Sequence, residues 1–212
     1  MADFNLQGMI DWAIEWCNKP NVGYWMSAYY RNMATANGIT YFDCSSFVFF
    51  AVWLGGGYDI GQLGYPTDLE GYKTKHGQDG YNAWTVTPMM RGLQRIGFQK
   101  ITPVPSVWKP GDVLAWVKPE ENRGHTEICY ASPRITMGAH NSHYALEDQV
   151  SINTWNSDQS TYQALFRYKT QPPPEPPEPP LPPEPEPGGD PGSVDDARKT
   201  KIWFYMKPWW KI

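Results

Sequence analysis

Cys44 lies in the run Phe42-Asp43-Cys44-Ser45-Ser46-Phe47-Val48, at the head of an apolar stretch, 45–54, that predicts a buried helix stopped by Gly55-Gly56-Gly57. A helix N-terminus stabilises negative charge, so a cysteine there has a lowered pKa and exists more as thiolate, the nucleophilic form. The competing reading is an inert buried thiol. Cys17, on the apolar side of a predicted helix, and Cys129, in mid-strand, read as packing residues of that kind. A thiol nucleophile needs an imidazole base within hydrogen-bond reach. The chain has only four histidines. His125 opens a predicted strand in Gly124-His125-Thr126-Glu127-Ile128-Cys129-Tyr130, and His140 ends the next in Met137-Gly138-Ala139-His140-Asn141-Ser142-His143. A strand pair joined by Ser132-Pro133-Arg134 sets the two imidazoles side by side, so that the second can orient the first. Glu127 falls on the His125 face by strand alternation and approaches the same site. A metal site from His125, His140 and His143 is the rival. No His-Glu-x-x-His or paired-cysteine spacing supports it, so no metal or cofactor is expected. His76, in Lys75-His76-Gly77, is expected in a solvated Gly-rich loop.

The elements that must position these groups follow from periodicity. Leu6, Met9, Ile10, Ala13, Ile14 and Cys17 recur at helical spacing and predict an amphipathic helix over 3–17. Residues 18–43 read as loop, and 58–82 as a long irregular region. Thr87-Pro88 opens a helix that runs to Ile96, with Gly97 as its stop. Strands are predicted over 112–117, 125–131, 135–140, 149–155 and 164–168. Helices first and strands afterwards predict an α+β fold with an antiparallel sheet.

The 212 residues divide at Gln171. Residues 1–170 make the domain, 171–192 a Pro/Glu-rich linker, and 193–212 a basic aromatic tail. The linker holds 12 of the 21 prolines, which rules out helix and sheet and predicts a polyproline-II rod. From Pro172 to Pro187 it would reach about 50 Å at about 3.1 Å per residue. It reads as a spacer, since no basic residue stands beside its PxxP runs. The tail carries Arg198, Lys199, Lys201, Lys207 and Lys211 among Trp203, Phe204, Tyr205, Trp209 and Trp210. Too short to fold alone, it is expected to dock on a partner, on another copy, on its own domain or on a membrane interface.

Net charge is −4 with a pI near 5.5, which argues against general nucleic-acid binding. The longest apolar run is far short of a membrane span. The opening MADFNLQGMIDWAIEW lacks the features of a secretory signal. Three widely spaced cysteines offer no disulfide framework and suggest synthesis in a reducing compartment.

Asp43-Cys44-Ser45-Ser46-Phe47-Val48, then Lys109-Pro110-Gly111-Asp112-Val113-Leu114-Ala115-Trp116, then Gly124-His125-Thr126-Glu127-Ile128 form an ordered set that resembles NlpC-type papain-like cysteine peptidases. The whole of 5–168 more closely resembles bacteriophage peptidoglycan hydrolases of the amidase 5 type, related to CHAP domains. Val22-Gly23-Tyr24-Trp25-Met26-Ser27 and Gly138-Ala139-His140-Asn141 fit that branch. The resemblance implies a papain-like α+β fold with Cys44 at a helix N-terminus packed on the antiparallel sheet. It implies Cys44 as nucleophile and His125 as base, with His140 in the third polar place. Asn141 and Glu127 are the alternatives for that third or supporting place. Tyr24 matches a tyrosine that helps hold the oxyanion, with packing or substrate stacking as its other reading, and the Ser45 N–H is a second oxyanion donor. A groove lined by Trp and Tyr from 18–42 and 56–84 would hold the stem peptide.

The implied activity is that of a peptidoglycan endopeptidase or N-acetylmuramoyl-L-alanine amidase. The rod and tail suggest a virion-associated lysin, tethered to phage tail or core proteins through 198–212. A free endolysin held in the host cytoplasm before release is one alternative. A non-catalytic wall-binding or structural virion protein is another.

Overall fold

A computed structural model of the protein describes residues 4–27, 29–79, 85–118, 121, 123–155 and 163–169, with backbone alone at 76–79. The linker and tail lie outside the described residues. The first helix, α1 (Leu6–Cys17), starts where the Asn5 side chain caps it by accepting from the Gly8 N–H at 2.9 Å. Its apolar stripe, Met9, Ile10, Ala13, Trp16 and Cys17, is buried. The second helix, α2 (Cys44–Phe50), runs without a break into a π-helical turn, Ala51–Gly55. Phe47, Val48, Phe49, Phe50, Ala51 and Val52 have no exposed surface, so this segment is enclosed on every side. It packs between α1 and the main sheet. α4 (Val86–Ile96) ends as its sequence predicts, at Gly97 in the left-handed region.

The predicted antiparallel sheet is present and, among the described residues, has six strands. It comprises β4 (Phe98–Ile101), β5 (Val113–Lys118), β6 (Arg123–Ala131), β7 (Ile135–Ala139), β8 (Val150–Thr154) and β9 (Gln163–Tyr168). The order is β4-β9-β5-β6-β7-β8, every neighbouring pair antiparallel. Its helix-facing side joins the main core. Its other side holds a second cluster of Trp108, Leu114, Trp116, Cys129, Trp155 and Leu165. With helices and two sheets the fold is mixed α+β. Among the described residues no helix is long and apolar enough to cross a membrane.

Three expectations are corrected. Residues 18–43 are not loop but a small sheet of β1 (Val22–Tyr24), β2 (Asn32–Ala36) and β3 (Ile39–Phe42). The turn Asn37-Gly38 closes the β2–β3 hairpin with both residues at positive φ, 51° and 77°, a two-residue signal that was present in the sequence. A bulge between Asn32 and Thr35 breaks the alternation that would have revealed the strand. Residues 58–82 contain a 3-10 turn, Ile60–Leu63, and a helix, α3 (Leu69–Asp79). Among its described side chains only Tyr72 is fully buried, stacking on Phe49 and packing on Phe50 and Trp53, so no apolar period marks the helix. His76 therefore falls in a helix, and its side chain lies outside the described residues. The edge strand β4 was not foreseen, because Phe98 alone of its residues is buried.

Candidate active site

Asp43 caps α2. Its Oδ1 accepts from the Ser46 N–H at 2.7 Å, while the Asp43 N–H donates to Ser46 Oγ at 2.9 Å. This reciprocal capping box makes Cys44 the first helical residue. The first N–H groups of a helix have no intrahelical acceptor, so those of Cys44 and Ser45 are donors at the same spot. Burial pushes Cys17 and Cys129 up to about 12, as packing thiols should be, whereas Cys44 lines a cavity of about 1050 Å³.

β6 brings His125 and Glu127 to that cavity on one face. Continuing the Ile128–Met137 register toward the cavity sets Glu127 opposite Gly138 and His125 opposite His140. Gly138 has no side chain to block the space above it, and a Cβ there would lie 2.7 Å from Glu127 Cγ. Glu127 therefore leans across between the two imidazoles. Its Oε1 is 2.5 Å from His125 Nε2 and 2.9 Å from His140 Nδ1. Thr136 Oγ1 donates to its other oxygen. His140 Nε2 faces the Ser151 carbonyl at 3.1 Å. Trp155 stacks on His125 at 5.6 Å between ring centres.

The group that touches His125 is thus Glu127, and His140 stands one step further out. With Nε2 committed to the carboxylate, Nδ1 is the ring nitrogen left to engage Cys44, which lines the same cavity. Burial disfavours the charged imidazole. The hydrogen bonds and negative charges of Cys44 and Glu127 outweigh it and raise His125 to about 10. Burial likewise opposes ionisation of Glu127, but the two histidines hold it down at about 2.

Tyr24 ends β1 beside the nucleophile. Burial, then the charges of Cys44 and Asp43, push its phenol up, against the pull of Arg31, so it stays a proton donor at neutral pH. Asn141 lines the cavity, but its side-chain oxygen accepts the His143 N–H. His143 is exposed and stands outside the His125–Glu127–His140 group, whose donor atoms lie within 4.8 Å of one another. That group is a possible donor set for a metal. Its 2.5 Å contact, however, is shorter than the spacing between two ligands about 2.1 Å from a tetrahedral zinc, so it is arranged as a hydrogen-bond network.

The cavity wall partly departs from expectation. Tyr24, Met26 and Arg31 come from 18–42, but no described residue of 56–84 lines it, and Thr85-Val86-Thr87 and Trp116 take that part. Arg31 was missed. Its ion pair with Asp43 spans the unrecognised hairpin, and no local motif marks it. No protein-family model matches the chain, and no curated protein matches it significantly.

Proposed function

We propose that this protein is a papain-like cysteine hydrolase that cleaves an amide bond in bacterial peptidoglycan. One observation carries the catalytic part: Cys44, at a helix N-terminus, faces a histidine that is itself held by a buried carboxylate. The substrate class is supported by the ordered motifs around Cys44, Gly111 and His125 and by a cavity large enough for a peptide segment.

In this reading His125 Nδ1 takes the Cys44 proton. The sulfur then attacks the amide carbonyl carbon, and the carbonyl electron pair moves to oxygen. The Tyr24 hydroxyl and the Cys44 and Ser45 N–H groups hold that oxyanion. Collapse expels the amine, which takes the proton from His125, and leaves a thioester. Water, deprotonated by His125, attacks the thioester and releases the acid and Cys44. Glu127 keeps the imidazole oriented and stabilises its charge, and His140 and Thr136 hold Glu127 in turn. The rod and aromatic tail support a virion-associated role in cell entry, tethered through 198–212.

The test is digestion of purified peptidoglycan with the wild type and Cys44→Ala, with and without a chelator, read by mass spectrometry of released fragments. Fragments from the wild type alone, unaffected by chelation, support the reading. A new L-Ala amine on intact stems identifies an amidase, and a cut within the stem an endopeptidase. Release by Cys44→Ala, or loss of release on chelation, would transfer the chemistry to a metal on His125, Glu127 and His140. No release from several wall types would sink the catalytic reading.

A further inference from the structure

Arg31 has no part in the Cys44–His125–Glu127 relay, yet it is bound to the same helix start. Its guanidinium forms an ion pair with Asp43, and Nη2 donates to Ser45 Oγ at 3.0 Å. Ser45 Oγ donates onward to Asp43 Oδ1 at 3.1 Å. The residues on either side of Cys44 are therefore tied by one side chain from beyond the β2–β3 hairpin. Asp43 is only 3% exposed, so solvent screens its charge little.

This arrangement resolves a conflict built into the helix start. A carboxylate is a strong N-cap for α2, but a negative charge next to a nucleophilic thiol disfavours the thiolate. A guanidinium on the carboxylate cancels the charge while leaving Oδ1 free to cap. We propose that Arg31 is a positioning residue for Cys44: it neutralises Asp43 and clamps Asp43 and Ser45, allowing a carboxylate-capped helix to present a thiolate. The inference rests on Cys44 being the nucleophile, not on which bond is cleaved.

The experiment follows carbamidomethylation of Cys44 by iodoacetamide against pH, by peptide mass spectrometry on the full chain. Cys17 and Cys129, both buried, report unfolding by becoming labelled. The other groups around Cys44 are Tyr24 from β1, His125 and Glu127 from β6, His140 after β7, and Arg123 and Tyr144 at the cavity wall. They are the same in every variant, so a difference between variants reports the Arg31–Asp43 pair.

Arg31→Ala should slow labelling at neutral pH on the order of tenfold and raise its pH midpoint by about one unit. Arg31→Lys, which keeps the charge, should restore most of the midpoint. Arg31→Ala combined with Asp43→Asn should also restore it, because no charge is left to cancel and Asn still caps. A midpoint unmoved in Arg31→Ala, or moved but restored by neither second variant, overturns the proposal. If Arg31→Ala exposes Cys17 and Cys129, the single variant Asp43→Asn decides: a midpoint below the wild type's supports the role, and an unmoved one overturns it. A protein that labels in the expected way but cleaves no peptidoglycan supports the Arg31 role and overturns only the substrate reading.

Discussion

Glu127 accepts from two imidazoles and a hydroxyl, and this sets the response of the site to pH. A carboxyl lowered from 4.5 to about 2 adds stability that is present above 4.5 and lost as the pH falls toward 2. A histidine raised from 6.5 to about 10 adds stability that is present below 6.5 and lost as the pH rises through about 10. Cys44 leads the rise of His125 ahead of Glu127, and His140 joins His125 in lowering Glu127, so the shifts of this linked group bracket a single plateau. Tm should be highest between about 4.5 and 6.5 and fall on both sides. Glu127→Gln should remove the acid side of that profile and only weaken the alkaline side, which Cys44 also carries, as thermal scans across pH would show; an unchanged profile would contradict the pairing. In the proposed mechanism the same change lowers kcat by roughly 10²- to 10⁴-fold, because the imidazole loses its orienting charge.

At the scale of elements, two glycines separate scaffold from site. Gly111, at φ 83° in the Lys109-Pro110-Gly111-Asp112 turn, sits against α1: a Cβ there would lie 2.8 Å from Leu6 Cδ1 and 3.1 Å from Ile10 Cδ1. The turn is fastened by the Gly111 N–H on the Cys129 carbonyl at 2.9 Å and by Asp112, which accepts from Lys109 N and from Arg167. It is therefore a joint between helix and sheet. Gly111→Ala should cost roughly 1–3 kcal/mol in urea denaturation while leaving Cys44 alkylation in the folded protein unchanged. Gly138→Ala should do the reverse. It crowds Glu127, so activity should fall severalfold or more for a smaller loss of stability. Equal effects of the two changes on alkylation and turnover would refute this division. α3 hangs on Tyr72, and Tyr72→Ala should cost roughly 3–5 kcal/mol by calorimetry, the range for removing a large buried ring.

At the scale of the whole molecule, the two cores lie on opposite faces of the six-stranded sheet, and the candidate site is built where α2, β1, β6 and the ends of β7 and β8 meet. All its residues fall within 24–155. In the proposed virion-associated reading, a 1–192 truncation should keep the thermal transition and Cys44 reactivity of the full chain but lose co-sedimentation with phage particles. Equal liposome flotation of the two forms would favour a protein partner for the tail, and a difference would favour lipid.

Much of this was legible in the residues because it is local. The stripe of α1, the apolar run headed by Asp43-Cys44, the Gly97 stop and the short strand-forming runs of β5 to β9 between turn residues each depend on neighbours a few residues apart. Those patterns set the helix-first α+β order, placed Cys44 at a helix start and put His125 and Glu127 on one strand face. The β2–β3 hairpin and α3 were harder to see, since a bulge masks the first and one tyrosine holds the second. Long-range contacts were beyond reach. That Glu127 rather than His140 meets His125 depends on the cross-strand register and on the open space over Gly138. That Arg31 meets Asp43 depends on how a bulged hairpin folds back. The sequence by itself determined which chemical groups are present and which segments carry them, because short-range sterics and burial act along the chain. Only the tertiary structure decided which groups touch, because a hydrogen bond or ion pair requires an approach of about 3 Å between atoms that the chain alone leaves far apart.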